Sequence, residues 1–165
     1  MPRPPHPRRA LAEPSLLPLR AAATGPTLTD LVAPLVVAIT ADRRSRGLPP
    51  VAVTLDTAAG QVTPADAGPL GELVGSLLAA ACEAAAAAPP RLREVIVTSV
   101  VGPAGLELEV ADSGPTPGTA PDELLARVRP LVERLGGTLS CRGCPEGGAA
   151  VTLQLPRRDR QRQAA

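Results

Sequence analysis

Apolar residues recur along the middle of this chain with two different periods, and the changes of period mark out the elements. Leu28, Leu31, Val32, Leu35, Val36 and Ile39 fall at helical spacing, with Thr29 or Asp30 available as the cap. Pro34 limits where that helix can start, because it has no N–H to give the ladder. Val51–Asp56 then reads as a strand, with a second short one around Gln61-Val62-Thr63. Leu70, Leu73, Val74, Leu77, Leu78 and Ala81 form the apolar stripe of a longer helix, which an alanine run continues until Pro89-Pro90 stops it. Leu92–Val101 and Leu106–Ala111 are strands, and the Gly102-Pro103-Ala104-Gly105 connector makes them an antiparallel hairpin. A helical region runs from Pro121 to Leu135, with Leu124, Leu125, Val128, Leu131, Val132 and Leu135 on one side and Pro130 predicted to break or kink it. Gly136-Gly137 ends it, and Thr138–Cys141 and Ala150–Leu155 close as two more strands. This order predicts an α/β two-layer sandwich, with helices on one face of a mixed, mainly antiparallel sheet.

The 165 residues suit one domain with tails. Residues 1–26, rich in Pro and Arg, read as a disordered tail, 27–156 as the domain, and 157–165 as a polar Arg-rich tail. Hydrophobic residues make up 44% of the chain, but Phe, Trp and Tyr are absent, so Leu, Val and Ala must build the core. Without aromatics the usual platform for stacking on bases is missing, and a net charge of +1 draws the domain to neither nucleic acid nor anionic lipid. All 17 basic residues are Arg, which looks like coding in a GC-rich bacterial genome and bears on origin rather than mechanism. No apolar run approaches the ~20 residues of a membrane span. Pro14 and Pro18 interrupt any leader-type apolar segment, so a cytoplasmic address is expected. The three cysteines include Cys141-Arg142-Gly143-Cys144, a spacing used in redox and metal sites. Neither a helix N-terminus nor a second ligand pair accompanies it, and the pair reads as small residues at a strand end.

Candidate chemistry is confined to two segments. Val110-Ala111-Asp112-Ser113-Gly114-Pro115 puts an acid and a glycine in a turn directly after a strand. Some distance upstream lies the helix Ser76-Leu77-Leu78-Ala79-Ala80-Ala81-Cys82-Glu83-Ala84-Ala85. Together with Leu131–Ser140 and Gly147–Pro156, these segments resemble the ATP-binding domain of sensor histidine kinases, in the histidine-kinase-like (GHKL) ATPase family, across roughly residues 27–156. The resemblance implies a Bergerat-type sandwich in which Asp112 and Gly114 contact adenine. Asp112 has a second reading as a turn residue bonding its own backbone.

The departures from the family pattern fall at the chemistry. The helix position that carries the family's magnesium-binding asparagine is Ala80, and the chain contains no Asn. Magnesium takes hard oxygen ligands, and Ala80 offers none. Ser76 stands where the family has a polar or acidic residue near the γ-phosphate, and Glu83 reads as a solvated charge. The third position of the family's D-x-G-x-G turn is Thr116, with Gly118 available in a longer turn, and the threonine that helps hold adenine corresponds to Ala149. The Gly-rich lid is missing, and Pro130 marks the expected deletion point between two short helical pieces. ATP is therefore expected to bind weakly or not at all, with little help from magnesium, which is itself not expected as a cofactor, and no catalytic residues are expected. The only His, His6, sits among prolines and cannot be a phosphoacceptor on a helix.

The expectation is a degenerate, non-catalytic regulatory or docking module in bacterial signal transduction, with a response regulator or kinase as its protein partner. Its contact surface is expected along Leu70–Ala81 and Pro115–Pro121, uncovered by the lost lid, with Leu124 and Leu125 as candidate contacts. The alternative is a residual ATP-binding or ATPase domain that serves as the catalytic half of a histidine kinase on a separate phosphoacceptor protein. A phosphotransfer or sigma-factor-regulating role on the same fold is a third reading, which the lack of a helical His disfavours.

Overall fold

The computed structural model describes residues 26–57, 63, 65–115, 122–145 and 147–157. Residues 61 and 62 of the second short strand expected around 61–63, the turn residues Thr116 and Gly118, and nearly all of both tails lie outside the described residues, and Thr63 itself is in no strand.

Helix α1, Leu28–Ser45, begins earlier than Thr29 or Asp30 would allow as cap. Thr27 is the cap, and Asp30 returns the bond from the third helical position. The Asp30 N–H donates to Thr27 Oγ1 at 3.1 Å, and the Thr27 N–H donates to Asp30 Oδ2 at 3.1 Å. The Thr27 hydroxyl also donates to Asp30 Oδ2, at 2.6 Å, and this bond, with the Thr27 N–H bond second, holds the Asp30 carboxyl below its ordinary value. Pro34 lies inside the helix rather than limiting its start, so the ladder omits one donor and continues. Strand β1, Ala52–Thr57, follows.

Helix α2, Ala67–Ala86, is capped by Asp66, whose side chain accepts from the Gly68 N–H at 3.1 Å. Pro69 sits in the first turn, where N–H groups have no helical partner to lose. Gly71 and Gly75, one turn apart, face α1. A Cβ on Gly71 would stand 3.3 Å from Leu31 Cδ1 and one on Gly75 3.7 Å from Leu35 Cδ2, so small residues set how closely the two helices approach. A short 3-10 turn, Pro90–Leu92, then leads into β2, Glu94–Gly102, which forms the expected hairpin with β3, Gly105–Asp112.

Helix α3, Asp122–Leu135, runs unbroken through Pro130. The expected break is absent because Leu124, Val128, Val132 and Leu135 are all buried on one face, and that packing outweighs one missing backbone bond. Pro130 accordingly marks no break between two helical pieces. Strands β4, Thr138–Gly143, and β5, Ala149–Pro156, complete a sheet of order β1-β2-β3-β5-β4. Only the β1–β2 pair is parallel.

The core lies between the α2 stripe and the inward residues of the three central strands, among them Val95, Val97, Leu108, Val110 and Leu153. Each such side chain contributes about 1.5–3 kcal/mol by burial. Contrary to the expectation that no apolar run approaches a membrane span, helix α2 is long and apolar enough to cross one by length and composition; 56% of its apolar window is buried inside the domain, where this packing accounts for its composition.

The outer sheet face is mixed, with polar pairs on β3 and β5 beside exposed Ile96 and Val100 on β2. Gln154 Nε2 donates to Glu107 at 3.0 Å, and the Thr152 hydroxyl donates to Glu109 at 3.2 Å.

Candidate functional site: a cavity at the end of strand β3

Strand β3 ends by delivering Asp112 to the rim of the sheet, and three backbone features fix it there. The Gly114 N–H donates to Asp112 Oδ1 at 2.8 Å, closing a tight turn in which a Cβ at 114 would press on that same oxygen. Ser113 ties the turn to the start of β2: its N–H donates to the Glu94 carbonyl at 3.1 Å, and its Oγ accepts from the Glu94 N–H at 2.8 Å. From the other side the β4–β5 connection presses down through Gly148, at φ +79°, where any Cβ would overlap the Asp112 carbonyl oxygen. The next residue, Ala149, donates its N–H to the Asp112 carboxylate. Burial nevertheless dominates and raises the Asp112 carboxyl above its ordinary value, against the lowering pull of those two N–H groups.

This turn borders a cavity of about 540 Å³. One wall is the face of α2 that carries Ser76, Ala80, Glu83, Ala84 and Ala87. The floor is Val110, Val151 and Ala149, and Glu123, Leu124 and Arg127 of α3 complete the lining. The sequence-predicted residues Asp112 and Gly114 thus share one cavity with Ser76, Ala80, Glu83 and Ala149. Glu83 is solvent-exposed, as its reading as a solvated charge expects, but it is also paired: its Oε1 lies 3.0 Å from Nη1 of Arg43, a buried guanidinium at the end of α1. The Ser76 hydroxyl donates to the Glu72 carbonyl one turn back, at 2.9 Å. Chemically the cavity offers one half-buried carboxylate as acceptor, flat aliphatic walls and a single lining cation, Arg127, among the described residues.

The expected apolar contact surface is corrected. Leu70, Leu73, Val74, Leu77 and Leu78 belong to the core, and Leu124 is 6% exposed. What α2 shows the cavity is mainly alanine, because the leucines at the adjoining helical positions turn toward the sheet. Sequence reasoning missed Glu123 and Arg127, whose i, i+4 spacing signals a shared face but not what that face meets. It also missed Arg43, which carries no local signal for burial. Cys141 falls in β4 and Cys144 just after it, away from any helix start.

The catalytic domain of the histidine kinase ThkA superimposes on this chain with a TM-score of 0.61, covering 79% of this chain and 94% of that one at 16% identity. The fold is that of a histidine-kinase ATP-binding domain. The histidine kinase domain of a blue-light-activated kinase from Erythrobacter litoralis matches at 25% identity and TM-score 0.56, over 77% of this chain and 61% of that one. The ATP-binding domain of PrrB from Mycobacterium tuberculosis matches at 24% identity and TM-score 0.52, over 78% and 95%. ThkA matches again in its complex with the response regulator protein TrrA, there over 41% of the longer kinase chain. No protein-family model and no curated protein matches the sequence. In this histidine-kinase-like fold the cavity lies where α2, the β3 turn and α3 converge.

Proposed function

We propose that this chain is a histidine-kinase-like domain that keeps an adenine-sized cavity read by Asp112 and Gly114, has lost metal-dependent phosphoryl chemistry, and works as a regulatory docking module in signal transduction. The carrying observation is Ala80. It lines the cavity on the α2 wall, where the family asparagine is expected, and contributes a methyl group in place of an oxygen. Magnesium needs several hard oxygen ligands. Around Ala80 the nearest are Ser76 and Glu83, and Glu83 is engaged by Arg43. The donor set does not fit a magnesium–triphosphate group, and no phosphoryl-transfer step is assigned to these residues. The fit to a base is better. A carboxylate held by two N–H donors at the mouth of an aliphatic cavity retains acceptor capacity for an exocyclic amine.

A response regulator or a kinase is the proposed class of protein partner, supported by the structure of ThkA with TrrA, and the proposed address is cytoplasmic. The proposed domain spans residues 27–156, with a tail on either side. Calorimetry with ATP, with and without magnesium, tests the reading, together with capture of partners from the source cell in both conditions. Weak, magnesium-indifferent binding and ATP-independent capture are expected. Micromolar, magnesium-dependent binding, or capture only with ATP, would replace this reading with the catalytic half of a histidine kinase acting on a separate phosphoacceptor.

A further inference from the structure

The lining of the cavity says more about its ligand than the loss of one metal-binding side chain. We infer that it takes an uncharged, amine-bearing purine, as base or nucleoside, in preference to the nucleoside triphosphate. This rests on the reading of Asp112 as the acceptor for the base.

Charge carries the inference. Three carboxylates line the cavity, Glu83, Asp112 and Glu123, against one guanidinium, Arg127. Arg43 offsets Glu83 from outside the lining, at 3.0 Å, which leaves Asp112 and Glu123 against Arg127, an excess of one acid. In water each pair of like unit charges at about 8 Å weakens association roughly twofold, and a half-enclosed site amplifies this. A triphosphate brings several such charges and no metal to neutralise them, so ATP meets repulsion that a nucleoside avoids.

The walls point the same way. Ala80, Ala84, Val110 and Val151 present short aliphatic groups suited to the faces of a flat heterocycle, and Asp112 is the polar group held at its edge. An amine opposite the Asp112 carboxylate is satisfied as a donor. A carbonyl in the same place would set two acceptors against each other.

The experiment is calorimetry on the full chain with adenosine, ATP with and without magnesium chloride, and inosine. Adenosine is expected to bind about tenfold more tightly than ATP or better, magnesium to change neither value, and inosine to show no binding. Asp112→Asn should abolish adenosine binding while keeping an oxygen for the Gly114 N–H. Ala80→Leu, which fills the half-buried wall without touching that turn, should abolish it independently if the first variant fails to fold. Glu123→Lys should narrow the gap between adenosine and ATP severalfold. ATP binding that is tighter than adenosine, Asp112-dependent and magnesium-indifferent overturns this inference but leaves the proposed function standing. Magnesium-dependent tightening of ATP overturns both. No binding by either ligand overturns this inference and the adenine reading of Asp112, leaving only the docking role.

Discussion

Removing Glu83 should destabilise the domain more than removing Arg43, although Glu83 is the exposed member of the pair. The side chains are 63% and 6% exposed respectively, with Arg43 Nη1 3.0 Å from Glu83 Oε1. Arg43 otherwise reaches the Pro49 carbonyl through Nη2 at 3.2 Å, and its Nε has no partner. Glu83→Ala therefore strands a buried guanidinium on a single carbonyl. Breaking a fully buried ion pair in this way costs about 3–5 kcal/mol, and water reaching the open Glu83 side reduces that to roughly 2 kcal/mol here. Arg43→Met keeps most of the stem volume and leaves only a carboxylate that water can solvate, so about 1 kcal/mol or less is lost. At roughly 3–4 °C per kcal/mol for a domain of this size, the two variants should differ in Tm by about 3–5 °C. The chain has no aromatic fluorophore, so far-UV circular dichroism in urea is the assay, with m expected unchanged. Glu83→Gln, which keeps an acceptor but not the charge, should fall between them. If Arg43→Met proves the more destabilising, the desolvation argument is wrong and stem packing dominates.

Gly148→Ala combines a left-handed backbone with a Cβ on the Asp112 carbonyl and should cost at least about 2 kcal/mol, read as a lower urea midpoint. Because burial raises the Asp112 carboxyl, the folded state retains a proton that the unfolded chain releases near 3.8, so this group's contribution to stability falls as pH rises from there through the raised value and stays low above it. Asp112→Asn should flatten that part of the stability–pH curve, and a wild-type curve that climbs relative to the variant across this window would refute the shift. Cys82, buried and with its thiol raised chiefly by that burial, should resist alkylation in the native state while Cys141 and Cys144 react, and mass spectrometry after a timed iodoacetamide pulse separates the three.

The elements were legible wherever burial imposed a period. The α2 stripe, the β2–β3 and β4–β5 hairpins and the layer architecture follow from residues whose spacing records which side faces the core. Boundaries governed by single side chains were not. Thr27 outcompetes Thr29 and Asp30 because the reciprocal bond needs the acid three residues on, and Asp30 supplies it. Pro130 suggested a break because local chemistry alone opposes a proline there, whereas four buried apolar residues on α3 hold the helix through it. The Asp112 turn was readable as a motif. Its neighbours Glu123 and Arg127 reach the cavity through the packing of α3 on α2, a contact between distant segments that leaves no local signature.

The alanines of α2 link the fold to the ligand question. At a pitch of 3.6 residues, Leu70, Leu73, Leu77 and Ala81 face the sheet, while Ala80, Ala84 and Ala87 lie on the adjoining flank toward Asp112. Larger aliphatic side chains on that flank would have filled the space between α2 and the Asp112 turn and left a solid core. Polar ones would have furnished oxygen ligands for a metal. Alanine does neither: it keeps the helix stable, leaves a cavity of about 540 Å³, and gives that cavity short aliphatic walls. On the reading proposed above, alanine rather than asparagine at position 80 does more than remove a metal ligand: it shifts the site from recognising charge to recognising shape and one hydrogen-bond donor, and the comparison of adenosine with ATP is where those two modes of recognition part.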